Sequence, residues 1–404
     1  MQNPKGITYK REFDNLIFIV TALLVAIGAV MILSASQNSA IQDGTQFRLF
    51  LMQLFGVGLG FAFMFIIPSL KFEFIMKLSW LYYFFSIGLL VLTLFAGETR
   101  GGATRWLLVP GINFQIQPSE FAKIAIILTL PLYIMNNQTG GRNKVNTIGG
   151  ILGCGVIVGV PIVLVVIAGG MSTAIIFAAI GFAIYFVASP YFWRLIGLVA
   201  AGVAGIAAFL AFGGGFRGGR FAAWLDPYSY AQDVGFQTIQ SLYAVASGGL
   251  FGLGLGNSNQ KLNFLPEAHN DFIFAIIVEE MGILFGIFIL ILFGILLWRG
   301  AMIAIKCSSS VGTLMATGIL TMIAIQVLIN IGVVTNTIPN TGIPLPFISY
   351  GGTSIMVMMA SIGLLLNISR NQKMEDGLLN QAILMRQQKQ QPTLNSKPVH
   401  KRRA

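Results

Sequence analysis

Apolar positions in this chain come in long unbroken runs, and polar positions are confined to the gaps between them. Ten such runs are legible, at roughly 15–36, 47–68, 77–97, 119–136, 149–168, 171–188, 195–213, 271–297, 311–334 and 351–368. Each is close to the ~20 residues that cross a bilayer as a helix. A membrane β-barrel would show short alternating segments instead. Only Gly169 and Gly170 separate the fifth run from the sixth, so a tight turn is expected there. The first run lacks a small-residue cleavage site and leads directly into further spans, the pattern of a retained signal-anchor. The pattern predicts an all-α polytopic membrane protein with ten transmembrane helices. Residues 1–370 form its membrane domain, and 371–404 a basic, polar cytoplasmic tail expected to be disordered.

Composition narrows the class. The chain is 404 residues long, 55% hydrophobic and only 10% charged, against about a quarter charged for soluble domains. A soluble enzyme and a disordered chain are both excluded on that ground. The net charge of +11 becomes a topological signal once placed. With ten spans both termini share one side, and most basic residues fall there: Lys5, Lys10, Arg11, Lys71, Lys77, Arg142, Lys144, Arg194, Arg299, Lys306 and the tail. This positive-inside bias assigns both termini to the cytoplasm. It also removes the need to invoke nucleic acid as a partner. Two long connections then lie outside, 98–118 and a large extracellular loop at 214–270 between spans seven and eight. The second carries an amphipathic run (Phe236, Ile239, Leu242, Tyr243, Ala246) that suggests a surface helix. Two cysteines give no disulfide framework, and two histidines give no His-rich metal site.

Ionisable groups at membrane depth are costly and tend to be functional, which singles out three clusters. Glu120 and Lys123 open the fourth span one helical turn apart, after Pro118. They form either a self-neutralising pair or a charged cavity wall able to receive a phosphate. Glu267, His269 and Asp271 stand at the start of the eighth run, where a helix dipole favours an acid. Glu279 and Glu280 would lie about 12 Å deeper if that run is one helix. The segment Asn336–Ser354 holds too many prolines and glycines for a regular helix. Irregular backbone at this depth needs protein or a cavity around it. It offers Ser349 and the amides of Gly351 and Gly352 either as a packed turn or as an anion cradle. Arg105, Arg217, Arg220, Gln240 and a glycine-rich stretch (Gly248–Gly256) complete the polar set. The glycines lack the strand–helix context of a nucleotide fingerprint.

At these residues the chain resembles the FtsW/RodA/SpoVE (SEDS) family of bacterial peptidoglycan polymerases. The resemblance spans nearly the whole length. It is carried by GATRWL (Gly102–Leu107), FQIQPSEFAKIAIIL (Phe114–Leu128), the stretch Gly235–Gly282 containing LPEAHNDFIFA, and IPNTGIPLPFISYGG within Ile338–Arg370. The LGLGNSNQK and LLLNISR stretches are more similar to the FtsW and SpoVE branches than to RodA.

The resemblance implies a bacterial plasma-membrane enzyme that polymerises lipid II at the outer face. Its partners would be the nascent glycan strand, a class B penicillin-binding protein (a transpeptidase), and division or sporulation proteins. The family's essential aspartate falls on Asp271 and its cavity pair on Glu120 and Lys123. Asn270 stands where the family usually has Thr, and Ala168–Thr173 departs from the usual acidic or Pro-containing turn. The expected chemistry has Asp271 as general base. Lys123, Arg105, Arg217 and Arg220 would face the departing pyrophosphate. Gln240, His269, Ser349, Gly351 and Gly352 are expected to contact substrate. No metal-ligand motif is legible, so the metal is unknown; the carboxylates permit a magnesium or manganese ion without requiring one. The competing class is a lipid II flippase, which would hold its key carboxylates near the membrane midplane.

Overall fold

The computed structural model describes residues 14–36, 48–100, 103–109, 114–138, 147–189, 216–232, 235–262 and 264–370, without the side chains of Arg48, Arg100, Val109, Phe114, Phe216, Arg217 and Arg220. Nine helices among the described residues are long and apolar enough to cross a membrane. They are α1 (Asn15–Ala35), α2 (Arg48–Ile66), α3 (Phe72–Ala96), α4 (Pro118–Gln138), α5 (Ile148–Ile167) and α6 (Met171–Ala188). After two shorter helices, α7 (Phe216–Leu225) and α8 (Phe236–Gly248), and a third, α9 (Ile273–Met281), come α10 (Ile283–Lys306), α11 (Ser310–Val334) and α12 (Gly352–Arg370). The seventh predicted span, 195–213, and the tail after Arg370 lie outside the described residues.

Side-chain caps fix several helix starts. Asp14 accepts from the Ile17 amide, Thr147 from Gly150 and Ser309 from Gly312, each satisfying one of the donors a helix leaves open at its N-terminus. Asp14 also pairs with Arg299 at 2.9 Å. That ties the start of α1 to α10 and marks one end of the bundle, the Asp14 end. Asn367 donates to the carbonyls of Ile67 and Leu70 there, closing α12 onto the turn between α2 and α3. Ser34, near the finish of α1, marks the opposite end.

Helix α4 packs against α3, α5, α6 and α11, and α11 against α6 and α10. Together with α12, α4 is the most enclosed of the spans; α2, α3 and α5 turn most of their surface outward. Close backbone approach sets the α1 contact. A methyl built on Gly28 would stand 2.7 Å from Ile348 Cα and 2.8 Å from the Phe347 carbonyl oxygen. Only a residue without Cβ lets α1 lie on the Pro-rich segment.

Three expectations change. The 98–118 connection carries an antiparallel sheet, β1 (Glu98–Arg100), β2 (Ala103–Val109) and β3 (Phe114–Ile116), so the chain is mostly but not wholly helical. Trp106 pairs with Glu98, and Leu107 with Ile116. The eighth run, 271–297, is two helices rather than one. Gly282 has φ +83°, a conformation that ends α9 and starts α10 afresh. The glycine-rich stretch wraps this break. The amides of Leu253 and Gly254 donate to the carbonyls of Glu279 and Glu280, and those of Ile283 and Leu284 donate to Gly249 and Leu250. Orphaned backbone groups of the break are thereby paired. Helix α8 also differs from its expected amphipathic face. Its buried side is Thr238, Ile239, Ser241, Ala244 and Gly248, while Tyr243 and Ala246 are exposed. Small residues let it cross α9 closely.

Gly28→Ala should therefore lower the midpoint of thermal unfolding in detergent, costing about 1–3 kcal/mol through overpacking against backbone. Gly88→Ala is the control, because nothing lies within 4 Å of its added methyl. Its midpoint should hold or rise slightly.

Candidate functional site

Both long connections and the Pro-rich segment meet at the Ser34 end. Trp224 Nε1 donates to the Asn336 carbonyl at 3.0 Å, Ser241 to Val334 at 3.0 Å, Ser172 to Thr341 at 2.7 Å, and Thr353 to Gln115 at 2.7 Å. The polar residues predicted from sequence are thus drawn to one end of the bundle, although they come from segments far apart in the chain.

Asp271 directly precedes Phe272, the residue flanking the start of α9. Its backbone is held by Asn330, a fully buried side chain one turn from the finish of α11. Asn330 Nδ2 donates to the Asp271 carbonyl at 2.8 Å and to the Ile343 carbonyl at 2.9 Å, clamping the two loops together. Gly342, at φ +67°, brings its backbone against the carboxylate: a methyl there would stand 3.1 Å from Asp271 Oδ2. Helix α9 packs on α8, α10, α11 and α1, so Asp271 sits on a braced element while its own side chain is only half-buried.

The Glu120–Lys123 pair closes at 2.8 Å with both side chains buried. Ser354 adds a 3.3 Å bond to Glu120 Oε2, linking the pair to α12. Arg105 points from β2 to the turn between α5 and α6, where Nη2 donates to the Gly169 carbonyl at 2.8 Å and the Thr104 amide to Ala168 at 3.0 Å. A small pocket lies beneath the sheet at this point, lined among others by Thr104, Arg105, Ser119 and Thr173.

Ser349 and Gly351 work inside the fold. Ser349 Oγ donates to the Asn270 carbonyl at 2.7 Å and accepts from the Leu345 amide. The Gly351 amide donates to Gln53 Oε1 at 3.1 Å, so that amide is engaged by α2 rather than left open as an anion cradle. Gly352 packs its backbone on Gly56. His269 stacks edge-on to Tyr350, ring centroids 5.7 Å apart, and its carbonyl accepts from the Tyr350 amide. Burial pushes the His269 imidazole below its ordinary value, with Glu267 acting in the opposite direction. Gln240 is half-buried on α8, beside Gln237, which accepts from Asn340 at 2.7 Å. Arg217 and Arg220 belong to α7, with their side chains outside the described residues. Among the described residues no group of three His, Cys, Asp or Glu side chains is gathered as metal ligands.

Four functional candidates escaped the sequence reading: Ser34, Gln53, Lys261 and Asn330. A usable signal existed for two of them, since Gln53 and Asn330 carry amide side chains inside apolar runs, and such residues in membrane helices tend to bridge elements. Lys261 had no such signal, because it lies in a polar loop.

A polytopic helical bundle that brings the buried Glu120–Lys123 pair and the half-buried Asp271 carboxylate to a single end defines a class of membrane protein built to act at one surface. The chain belongs to the FtsW/RodA/SpoVE family, described as cell cycle proteins, which it matches over residues 14–374. It is 40% identical over 368 residues to stage V sporulation protein E of Bacillus subtilis, covering 90% of this chain and 98% of that one. It is 34% identical over 387 residues to the probable peptidoglycan glycosyltransferase FtsW of the same organism, covering 89% and 91%. A solved peptidoglycan synthase complex, described as coordinating polymerization and crosslinking, aligns with a TM-score of 0.73 at 26% identity, over 89% of this chain and 98% of that one. The rod shape determining protein RodA of Thermus thermophilus aligns with a TM-score of 0.65 at 25% identity, over 89% and 97%.

Glu120→Gln should cost about 3–5 kcal/mol in detergent unfolding, because it leaves the buried Lys123 uncompensated. The double change Glu120→Gln/Lys123→Met should recover most of that loss. The depressed His269 sets a pH dependence as well. Above both its folded and unfolded values it is neutral in each state and contributes nothing. As pH falls through the ordinary value of about 6.5, the unfolded chain takes a proton that the fold resists, and stability drops. Melts across pH 5–8 should show that drop in the wild type and a smaller one in His269→Gln.

Proposed function

We propose that the protein is a peptidoglycan glycosyltransferase of the bacterial plasma membrane that polymerises lipid II, with the Ser34 end facing outward and both termini in the cytoplasm. The observation that carries the reading is the seating of Asp271. Its backbone is clamped by Asn330, its carboxylate lies against Gly342, and it shares the Ser34 end with Lys123 and Arg105. The relatives named as probable peptidoglycan glycosyltransferases support the chemistry.

In this reading Asp271 takes the proton from the 4-hydroxyl of the acceptor sugar. That oxygen attacks the anomeric carbon of the donor glycan, the carbon–oxygen bond to undecaprenyl pyrophosphate breaks, and a single displacement inverts the linkage from α to β. A positioned base contributes about 10²–10⁴-fold. Arg105 and Lys123, with Arg217 and Arg220 from α7, supply positive charge for the departing pyrophosphate. His269, Gln240, Ser349, Gly351 and Gly352 form the walls, with Ser349 and Gly351 acting through the loop they brace. The growing glycan strand is the second substrate. A class B penicillin-binding protein is the partner, in keeping with the solved synthase complex that couples polymerization to crosslinking. The SpoVE and FtsW relatives point to septum synthesis in division or sporulation, alongside the proteins of those processes.

The carrier reading needs ionisable groups at mid-depth. Glu279 and Glu280, the acids that suggested it, belong to α9 rather than to a spanning helix. Glu280 bonds to Ser34, one residue from the finish of α1. This favours the enzyme.

Purified chain given lipid II in detergent, with and without its penicillin-binding partner, should yield glycan strands resolvable by gel electrophoresis. Asp271→Asn should abolish them while leaving the melting midpoint unchanged. A fully active Asn variant would refute the assignment of the base. A wild-type chain that moves lipid II across vesicles but forms no strands would favour the carrier.

A further inference from the structure

The largest buried charge cluster outside the proposed machinery lies at the finish of α9. Glu279 and Glu280 are both 0% exposed, and Lys261 is 6% exposed beside them. Glu279 is enclosed by donors: Ser258 Oγ, the Asn259 amide at 3.0 Å and the Gln260 amide at 3.4 Å. Glu280 receives Lys261 Nζ at 2.9 Å, Ser34 Oγ at 2.8 Å and the Ser258 amide at 3.4 Å. Lys261 Nζ spends its other protons on Ser34 Oγ at 3.1 Å and the Gly256 carbonyl at 2.7 Å.

Two features give this cluster a role beyond packing. First, it joins α9 to α1 through residues 246 positions apart. Helix α9 is therefore pinned at both extremities, by Asn330 of α11 beside Asp271 and by Ser34 of α1 at Glu280. Second, α9 has nine residues, a rigid strut of about 13 Å. The loop that supplies Lys261 returns along residues 262–270 to Asp271 itself. A displacement at Glu280 is thus delivered to Asp271 by two routes, the strut and the loop.

We propose that Lys261 is a positioning residue for Asp271. Its ammonium neutralises Glu280, seats α9 against α1, and so sets where the carboxylate of Asp271 stands. The proposal rests on the reading of Asp271 as the base. Removing the ammonium leaves Glu280 as a buried uncompensated charge, which is relieved by movement or hydration. A shift of about 1 Å at a reacting group costs about 10²-fold in rate, whereas substrate contacts elsewhere are untouched.

The test uses the full chain in detergent with lipid II as substrate, comparing wild type, Lys261→Met, Lys261→Met/Glu280→Leu and Ser34→Ala. Lys261→Met should lower kcat about 10- to 100-fold with KM within about twofold. The double variant should recover at least about half of that loss on a logarithmic scale, because no unpaired charge remains. Hydrogen exchange of residues 265–281 should quicken about tenfold or more in Lys261→Met, with α3 and α5 unchanged. Ser34→Ala, which removes only the link to α1, should shift kcat and exchange in the same direction by less, and it carries the test should Lys261→Met fail to fold. Unchanged exchange at 265–281, or a kcat that falls only in proportion to the folded fraction, would overturn the proposal. Absence of polymerisation by the wild type would instead sink the reading of Asp271, and the exchange measurement would still decide whether Lys261 seats α9.

Discussion

A buried backbone carbonyl or amide without a partner is expensive anywhere and more so where no water reaches it. This fold nevertheless breaks regular structure repeatedly at the Ser34 end: at Gly282, through residues 335–351, and around the loop 249–271. Single buried polar side chains make that possible. Asn330 takes two loop carbonyls, Gln53 bridges Ser349 and Gly351, Ser349 joins Leu345 to Asn270, and Glu279 gathers the donors of residues 258–260. Asn330 and Gln53 are placed by helices that cross the bundle and Glu279 by the strut α9, while Ser349 ties the Pro-rich segment to the loop before Asp271 from within. Irregular backbone is thereby given the rigidity of the helices that satisfy it.

The two ends of the bundle are built differently in consequence. At the Asp14 end, Asp14–Arg299 and the clamp of Asn367 on the turn between α2 and α3 simply close helices onto one another. At the Ser34 end, the sheet, α7, α8, α9 and the Pro-rich segment lie over the spans and share their polar groups. The ion pairs there divide by task. Glu120 with Lys123 stands near the start of α4, buried, with a bond to α12. Lys261 with Glu280 stands under loop backbone and braces the short helix that begins beside Asp271.

Much of this was legible in the chain, for reasons that can be named. The spans emerge from hydropathy because a bilayer demands long apolar runs. Asp271, Glu120 and Lys123 emerge because ionisable groups interrupt those runs. Other elements were hidden. The helix expected over 271–297 ends at Gly282 because the glycine adopts a positive φ against the crossing turn of residues 249–252, and a helix is otherwise compatible with that stretch. The sheet at 98–116 was obscured by its brevity, three residues in each outer strand. The open amides expected at Gly351 and Gly352 were a sound reading of the local sequence, but Gln53 lies 298 residues away from Gly351.

The sequence by itself determined that this is a multi-span membrane chain of a recognisable family, where eight of its long apolar helices lie, and which acids and bases stand near their ends. Those are consequences of local composition and of residues a turn or two apart. Tertiary structure alone decided that Glu279 and Glu280 belong to a short helix ending at Gly282 rather than to a long one, that Lys261 and Ser34 meet Glu280, and that Asn330 and Gly342 hold Asp271. Burial and hydrogen bonding depend on what packs across the bundle, and no pattern along one helix encodes the partner that arrives from another.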